Sequence, residues 1–190
     1  MIIGITGGTG CGKTTLLKEI EARGGLVLDC DAVYHELLTR DEVLLHAIND
    51  RFPGVVVEKK LERKKLGAVV FADPQALADL NAITHSAIKA EILERLAKKP
   101  RLAAIDAIAL FEGGLSELCD TTVAVCAPLE ARVARLMNRD GIPEEYARSR
   151  IKAQKSEEWF RQMCAYTLYN DGTREEFAQK CRFFLDEVLK

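Results

Sequence analysis

Short apolar runs alternate along the chain with longer stretches of helical periodicity. Residues 2–6 (Ile-Ile-Gly-Ile-Thr) predict a first strand, and a glycine-rich turn follows. A helix over about 13–22 places Leu16, Leu17 and Ile20 on one face, and Gly24 and Gly25 stop it. Leu26-Val27-Leu28-Asp29 reads as a second strand running into Cys30-Asp31. Asp73-Pro74 opens a long helix, with Asp as cap and Pro at the first helical position. Leu77, Leu80, Ile83, Ala87, Ile88, Ile92 and Leu96 keep helical spacing along it, and Pro100 ends it. Residues 102–106 and 122–126 predict a third and a fourth strand. Pro128 starts a helix that ends at Gly141, and Pro143 starts the next. A short strand over 167–169 precedes a last helix with a capping box of Thr173 and Glu176 and an apolar face of Phe177, Cys181, Phe184, Leu185 and Val188.

Strands alternating with helices predict a parallel sheet wrapped by helices. No linker rich in Pro, Gly or Ser divides the chain. The expectation is one α/β domain, with a core over about 1–38 and 99–190 and a mostly helical insertion over about 40–98.

Composition narrows the partners. The chain has 190 residues and a formal net charge of -2, so it lacks the basic excess of a general nucleic-acid binder. It has no apolar run near the roughly 18 residues a membrane helix needs and no secretory signal, which predicts a cytoplasmic protein with no membrane partner. Six cysteines (Cys11, Cys30, Cys119, Cys126, Cys164, Cys181) form no C-x-x-C pair, so free thiols are expected. Nothing in the pattern speaks to oligomeric state.

The candidate chemistry begins at residues 7–14, Gly-Gly-Thr-Gly-Cys-Gly-Lys-Thr, which match G-x-x-x-x-G-K-[ST] at every fixed position between a predicted strand and a predicted helix. Glycines let backbone N–H groups approach phosphate oxygens, and the helix N-terminus favours an anion. Lys13 supplies a point charge for the β- and γ-phosphates, and the Thr14 hydroxyl a ligand for Mg²⁺. Gly8, Thr9, Gly10, Cys11, Gly12, Lys13, Thr14 and Thr15 are therefore the expected binding residues for ATP, in a P-loop NTPase three-layer fold. Cys11 is either a reactive thiol at a helix N-terminus or simply a small residue that fits, and the second reading is preferred.

The GTPase motif N-K-x-D and the transporter signature L-S-G-G-Q are both absent. Asp106 ends the third strand and is followed by Ala107, not by the Glu of a mechanical ATPase. A short chain with this cradle and an arginine-bearing stretch over 132–150 points to a small-molecule kinase.

The order of motifs resembles the dephospho-coenzyme A kinase family over essentially the whole chain. Residues 5–15 look like the family's opening strand and loop. Asp29-Cys30-Asp31 with His35 resembles its D-A-D motif, and Leu61-Glu62-Arg63 with Leu66 and Val70-Phe71 its small-domain segment. His85 matches a histidine usually followed by Pro. Residues 110–114 (Leu-Phe-Glu-Gly-Gly) resemble the end of P-L-L-F-E-x-G. Residues 135–141 with Arg150 and Gln154 resemble the lid, placed at about 138–155, and Asn170 with Gly172 the closing N-x-G. Ser86, Ile108, Ala109, Phe160 and Cys164-Ala165 depart from the family pattern.

The resemblance implies transfer of the ATP γ-phosphate to the ribose 3′-hydroxyl of dephospho-CoA, the last step of CoA synthesis. It implies catalytic roles for Asp31, Lys13 and Arg139, acceptor binding by Thr6, Asp31, Arg63 and His85, and nucleotide binding by Asn170. Competing readings stand beside several of these. Asp31 also suits a helix N-cap. Arg132, Arg135 and Arg139 share a helical stripe, and a solvated basic face is the better reading for Arg132. His85 also fits a satisfied helix-surface residue, and Asp106 a plain strand end. Trp159 and Tyr166 read as packing residues. A nucleoside or nucleotide kinase, or a nucleotide sensor without transfer, are the rival functions.

Overall fold

The computed structural model describes all 190 residues. The first compact unit comprises Met1–Leu28, Pro100–Leu110 and Leu115–Lys190. Its strands are β1 (Ile2–Thr6), β2 (Leu26–Asp29, of which Asp29 already belongs to the second unit), β5 (Ala103–Asp106), β6 (Thr121–Cys126) and β7 (Tyr166–Tyr169), in the order β2-β5-β1-β6-β7. The pairs β1–β5, β1–β6 and β6–β7 are all parallel. Five helices accompany this sheet: α1 (Lys13–Ala22), α6 (Leu129–Asp140), α7 (Glu144–Lys152), α8 (Glu157–Met163) and α9 (Arg174–Val188). β1 is central and buried, and its alternation of Ile with Gly and Thr matters less than its burial on both faces.

The core of this unit joins strand residues Ile3, Ile5, Ala104, Val123 and Val125 to Leu16, Leu17 and Ile20 of α1 and Phe177, Cys181, Phe184 and Leu185 of α9. Each fully buried Ile or Leu stabilises the fold by about 1.5–3 kcal/mol relative to exposure. α9 begins as the sequence predicts, with a complete capping box between Thr173 and Glu176. Pro128 and Gly141 bound α6, the glycine taking the left-handed C-cap conformation.

The second unit comprises Asp29–Lys99 and Phe111–Gly114. It holds α2 (Cys30–Arg40), α3 (Glu42–Arg51), a two-residue hairpin of β3 (Val56–Val57) and β4 (Lys60–Leu61), α4 (Arg63–Val70) and the 23-residue α5 (Pro74–Leu96). It thus takes in α2 as well as the expected helical insertion. Asp73 caps α5 by accepting the Gln75 N–H at 2.8 Å, as its sequence predicts. The hairpin and α8 have no counterpart in the sequence reading. Their segments are too short, at two and seven residues, to develop a readable period.

Candidate active site

Residues 7–14 form a phosphate-binding loop between β1 and α1. Gly7 has φ +135, and a Cβ there would lie 2.2 Å from the Val125 carbonyl oxygen. Gly12 caps α1 in the left-handed conformation at φ +96, where a Cβ would lie 2.3 Å from Asn170 Nδ2. Both positions therefore require glycine, for backbone conformation and for space.

The loop's carbonyls are held from outside by side chains of three later segments. Arg132 Nε donates to the Thr9 carbonyl at 2.9 Å. Arg135 Nη1 donates to the carbonyls of Gly10 and Cys11 at 3.0 and 3.3 Å. Asn170 Nδ2 donates to the Cys11 carbonyl at 2.9 Å. Peptide units are dipoles, so tethering their oxygens on one side presents the N–H groups to the other, which preorganises an anion cradle. Lys13 Nζ donates to the Gly7 carbonyl at 3.0 Å and lies 3.8 Å from Asp106 Oδ1, with each side chain 13% exposed. A carboxylate at the end of β5 thus faces the loop lysine, as expected of strand-end ligand sites in open parallel sheets.

Several sequence expectations change here. Arg132 does not lie on a solvated face: it is 7% exposed and bonded to the loop. Its stripe on α6 faces inward because α6 packs over the loop, and only Arg139, at the helix end, remains outside. Arg139 forms a bidentate pair with Asp140, which Arg150 also engages. These contacts hold the Asp140 carboxyl at about 2. Thr6 is fully buried and its hydroxyl donates to the Ile108 carbonyl at 3.2 Å, which braces the strand end. Asn170 is likewise buried, and what it touches is the loop itself.

Cys11 is 3% exposed, and burial raises its thiol pKa despite the neighbouring Arg132 and Lys13 charges. The reading as a small fitting residue holds. Trp159 packs edge-on against Phe160, and Tyr166 against Phe184, as packing residues do. Phe160, one of the departures from the family pattern, is buried with Ala124 and Cys126. Gln154, part of the lid resemblance, accepts the Thr9 N–H at 2.8 Å. Its reach to the loop carries no signal in the local sequence.

In the second unit, Asp31 is exposed in the first turn of α2. It is not the cap. Asp29 fills that role, accepting the N–H groups of Asp31 and Ala32 at 2.9 and 3.1 Å. The reason is geometric: Asp29 already has the extended conformation a cap needs, whereas Asp31 is helical. Arg63 Nη2 donates to His35 Nδ1 at 3.1 Å. His85 hydrogen-bonds the Glu112 backbone, and partial burial lowers its pKa, so the ring is neutral near pH 7.

With this geometry in place, the comparisons are specific. The dephospho-CoA kinase family profile matches residues 1–176. A dephospho-CoA kinase of Thermobifida fusca is 36% identical, covering 99% of this chain and 96% of that protein. One from Deinococcus radiodurans is 40% identical, covering 91% and 85%. Among solved structures, a Thermus thermophilus protein superposes with a TM-score of 0.82 at 34% identity, covering 99% and 97% of the two chains. Dephospho-CoA kinase from Campylobacter jejuni gives 0.69 at 26% identity, covering 98% and 96%. No helix is long and apolar enough to cross a membrane. The parallel sheet, the glycine loop with its lysine facing Asp106 and the match over nearly the whole chain place this protein in the dephospho-CoA kinase family.

Proposed function

We propose that this protein transfers the γ-phosphoryl group of ATP to the ribose 3′-hydroxyl of dephospho-CoA, giving CoA, with small molecules as its only substrates and the cytoplasm as its place of work. The observation that carries the reading is the loop at residues 7–14, tethered by its carbonyls and containing a lysine paired with Asp106. Membership of the family supports the choice of acceptor.

The loop N–H groups and the α1 N-terminus bind the β-phosphate, and Lys13 moves from the Gly7 carbonyl to the phosphate oxygens. The hydroxyl of Thr14 and the carboxylate of Asp106 are hard oxygen donors suited to Mg²⁺, which takes few protein ligands beside substrate phosphates. An Mg²⁺ ion held by these two groups would supply positive charge against the phosphates. Asp31 orients the acceptor hydroxyl and accepts its proton, a task open to an exposed carboxylate not engaged in capping. Arg63 and His85 bind the acceptor. Arg139 leaves Asp140 to meet the charge that develops on the transferred group, carried by a lid over about 138–155.

The test is an ATP-consumption assay with dephospho-CoA, nucleosides and nucleoside monophosphates as competing acceptors, with mass analysis of the product. CoA as the preferred product is expected. Preferred phosphorylation of a nucleoside or nucleotide would overturn the assignment.

A further inference from the structure

Arg132 is a buried cation with one matched and one unmatched face. Its Nε serves the Thr9 carbonyl, while Nη2 is buried and has no protein acceptor. The nearby ion pairs belong to other residues: Arg139 and Arg150 pair with Asp140, and Arg148 with Glu130 and Glu144. A guanidinium so placed carries a desolvation cost that an anion would relieve.

The neighbourhood shows where that anion belongs. A Cβ placed on Gly8 would lie 2.2 Å from Arg132 Nη2 and 3.2 Å from Gln154 Oε1. Both groups therefore lie against the same face of the loop's second residue. Gln154 Oε1 also accepts the Thr9 N–H at 2.8 Å, so an oxygen is already seated where a loop N–H points, with the unmatched arginine N–H beside it. Gly8 and Thr9 precede the α1 N-terminus, which the proposed function assigns to the β-phosphate.

We propose that Arg132 binds the terminal phosphoryl group of the nucleotide through Nη2, and that Gln154 Oε1 holds that oxygen position until the nucleotide arrives. The inference rests on the reading of this loop as the ATP site. It adds a second cation to Lys13, one that distinguishes ATP from ADP. A planar guanidinium suits the task, because it can hold the Thr9 carbonyl with one N–H and a phosphate oxygen with another.

Calorimetric titration with Mg-ATP and Mg-ADP, without acceptor, tests it on Arg132→Gln. ATP affinity should fall about tenfold, the scale of one charge-assisted hydrogen bond, while ADP affinity stays within about threefold of wild type. Equal losses for both nucleotides would show that Arg132 only shapes the loop, and no loss for either would remove it from the site; each result overturns the proposal. Thermal unfolding of the variant checks its fold. If the glutamine form does not fold, Arg132→Lys gives the same ratio: a fall of about threefold in ATP-over-ADP preference is expected, and an unchanged ratio overturns the proposal. Wild-type turnover of dephospho-CoA is measured in parallel. Its absence would sink the assigned reaction and leave the nucleotide comparison standing.

Discussion

Asn170 donates from Nδ2 to the carbonyl of Cys11 at 2.9 Å, tying the turn after β7 to the phosphate loop across 159 residues of sequence. The same nitrogen would lie 2.3 Å from any Cβ placed on Gly12, so asparagine and glycine determine each other. Asn170→Ala leaves the Cys11 carbonyl with only the longer bond from Arg135. Loss of a partner for a buried carbonyl costs about 1–3 kcal/mol. Chemical denaturation should show that loss, and the ATP KM should rise because the loop's carbonyl tether is released. A variant with wild-type stability and KM would show that the tether is dispensable.

Lys13→Ala should lower turnover by at least about 10²-fold, since an electrostatic donor in a preorganised site contributes on that scale. The variant also leaves Asp106 without its cation, 3.8 Å away in this structure. Stability should therefore be measured alongside turnover with purified protein. A near wild-type rate would show that the loop is not where the transferred phosphate sits.

Much of this fold and part of this site can be read from the sequence, and the boundary between the two has a physical cause. Long periodic segments such as α5 and α9, and caps such as Asp73 and Thr173, announce themselves because their signals are local. The loop at residues 7–14 is equally local. Arg132 was unreadable because a stripe of Arg132, Arg135 and Arg139 fits either a solvated or a buried face, and only the packing of α6 over the loop decides. Gln154 meets Thr9 across 145 residues, which no spacing rule reports. A cap at Asp31 stands as a competing reading because Asp29 and Asp31 are equally good caps by type, and only the backbone conformation gives the role to Asp29.

The thiol of Cys11 should resist alkylation in the folded protein. Burial raises its pKa, so it is protonated near neutral pH, and the thiolate is the reactive form. Cys119, Cys126 and Cys181 are pushed up to about 12 and Cys164 to about 11, each chiefly by burial. Iodoacetamide at pH 7.5 followed by peptide mass mapping should find Cys11 unlabelled until denaturant is added. Rapid labelling of the native protein would contradict this placement.

Arg139→Ala should lower turnover at saturating substrates more than it weakens ATP binding, because Arg139 rests on Asp140 in this structure and is asked to act during transfer. Asp140 is depressed from 3.8 to about 2, first by its hydrogen bond with Arg139. The sign follows: a depressed carboxyl contributes stability above its unfolded pKa and loses it as pH falls through the folded one. The Arg139–Asp140 pair is thus intact above about pH 4 and is lost only toward pH 2. Rate profiles between pH 6 and 9 should show no inflection from this pair. Equal turnover in mutant and wild type would remove Arg139 from the chemistry.

Asp29 caps α2 and Asp31 does not, so the two carboxylates can be tested apart. Asp29 caps α2 through two N–H groups, so Asp29→Ala should cost about 1 kcal/mol of stability, read as a lowered denaturation midpoint. Asp31 accepts no capping bond and lies exposed in the first helical turn. Asp31→Asn removes only a favourable charge near the helix N-terminus, worth about 0.3–1 kcal/mol. Under the proposed function it would also remove the group that takes the proton of the acceptor hydroxyl. A loose transition state does not demand that this proton leave early, so under the proposed function Asp31 would act first by orienting the hydroxyl and then as its base. Turnover of Asp31→Asn should therefore fall about 10²- to 10⁴-fold, the range of a positioned acid–base group, with ATP affinity nearly unchanged. The two substitutions should move opposite readouts: the Asp29 variant chiefly stability, the Asp31 variant chiefly turnover. If Asp31→Asn kept wild-type turnover, the carboxylate would have no part in the transfer and the general base would have to be sought elsewhere.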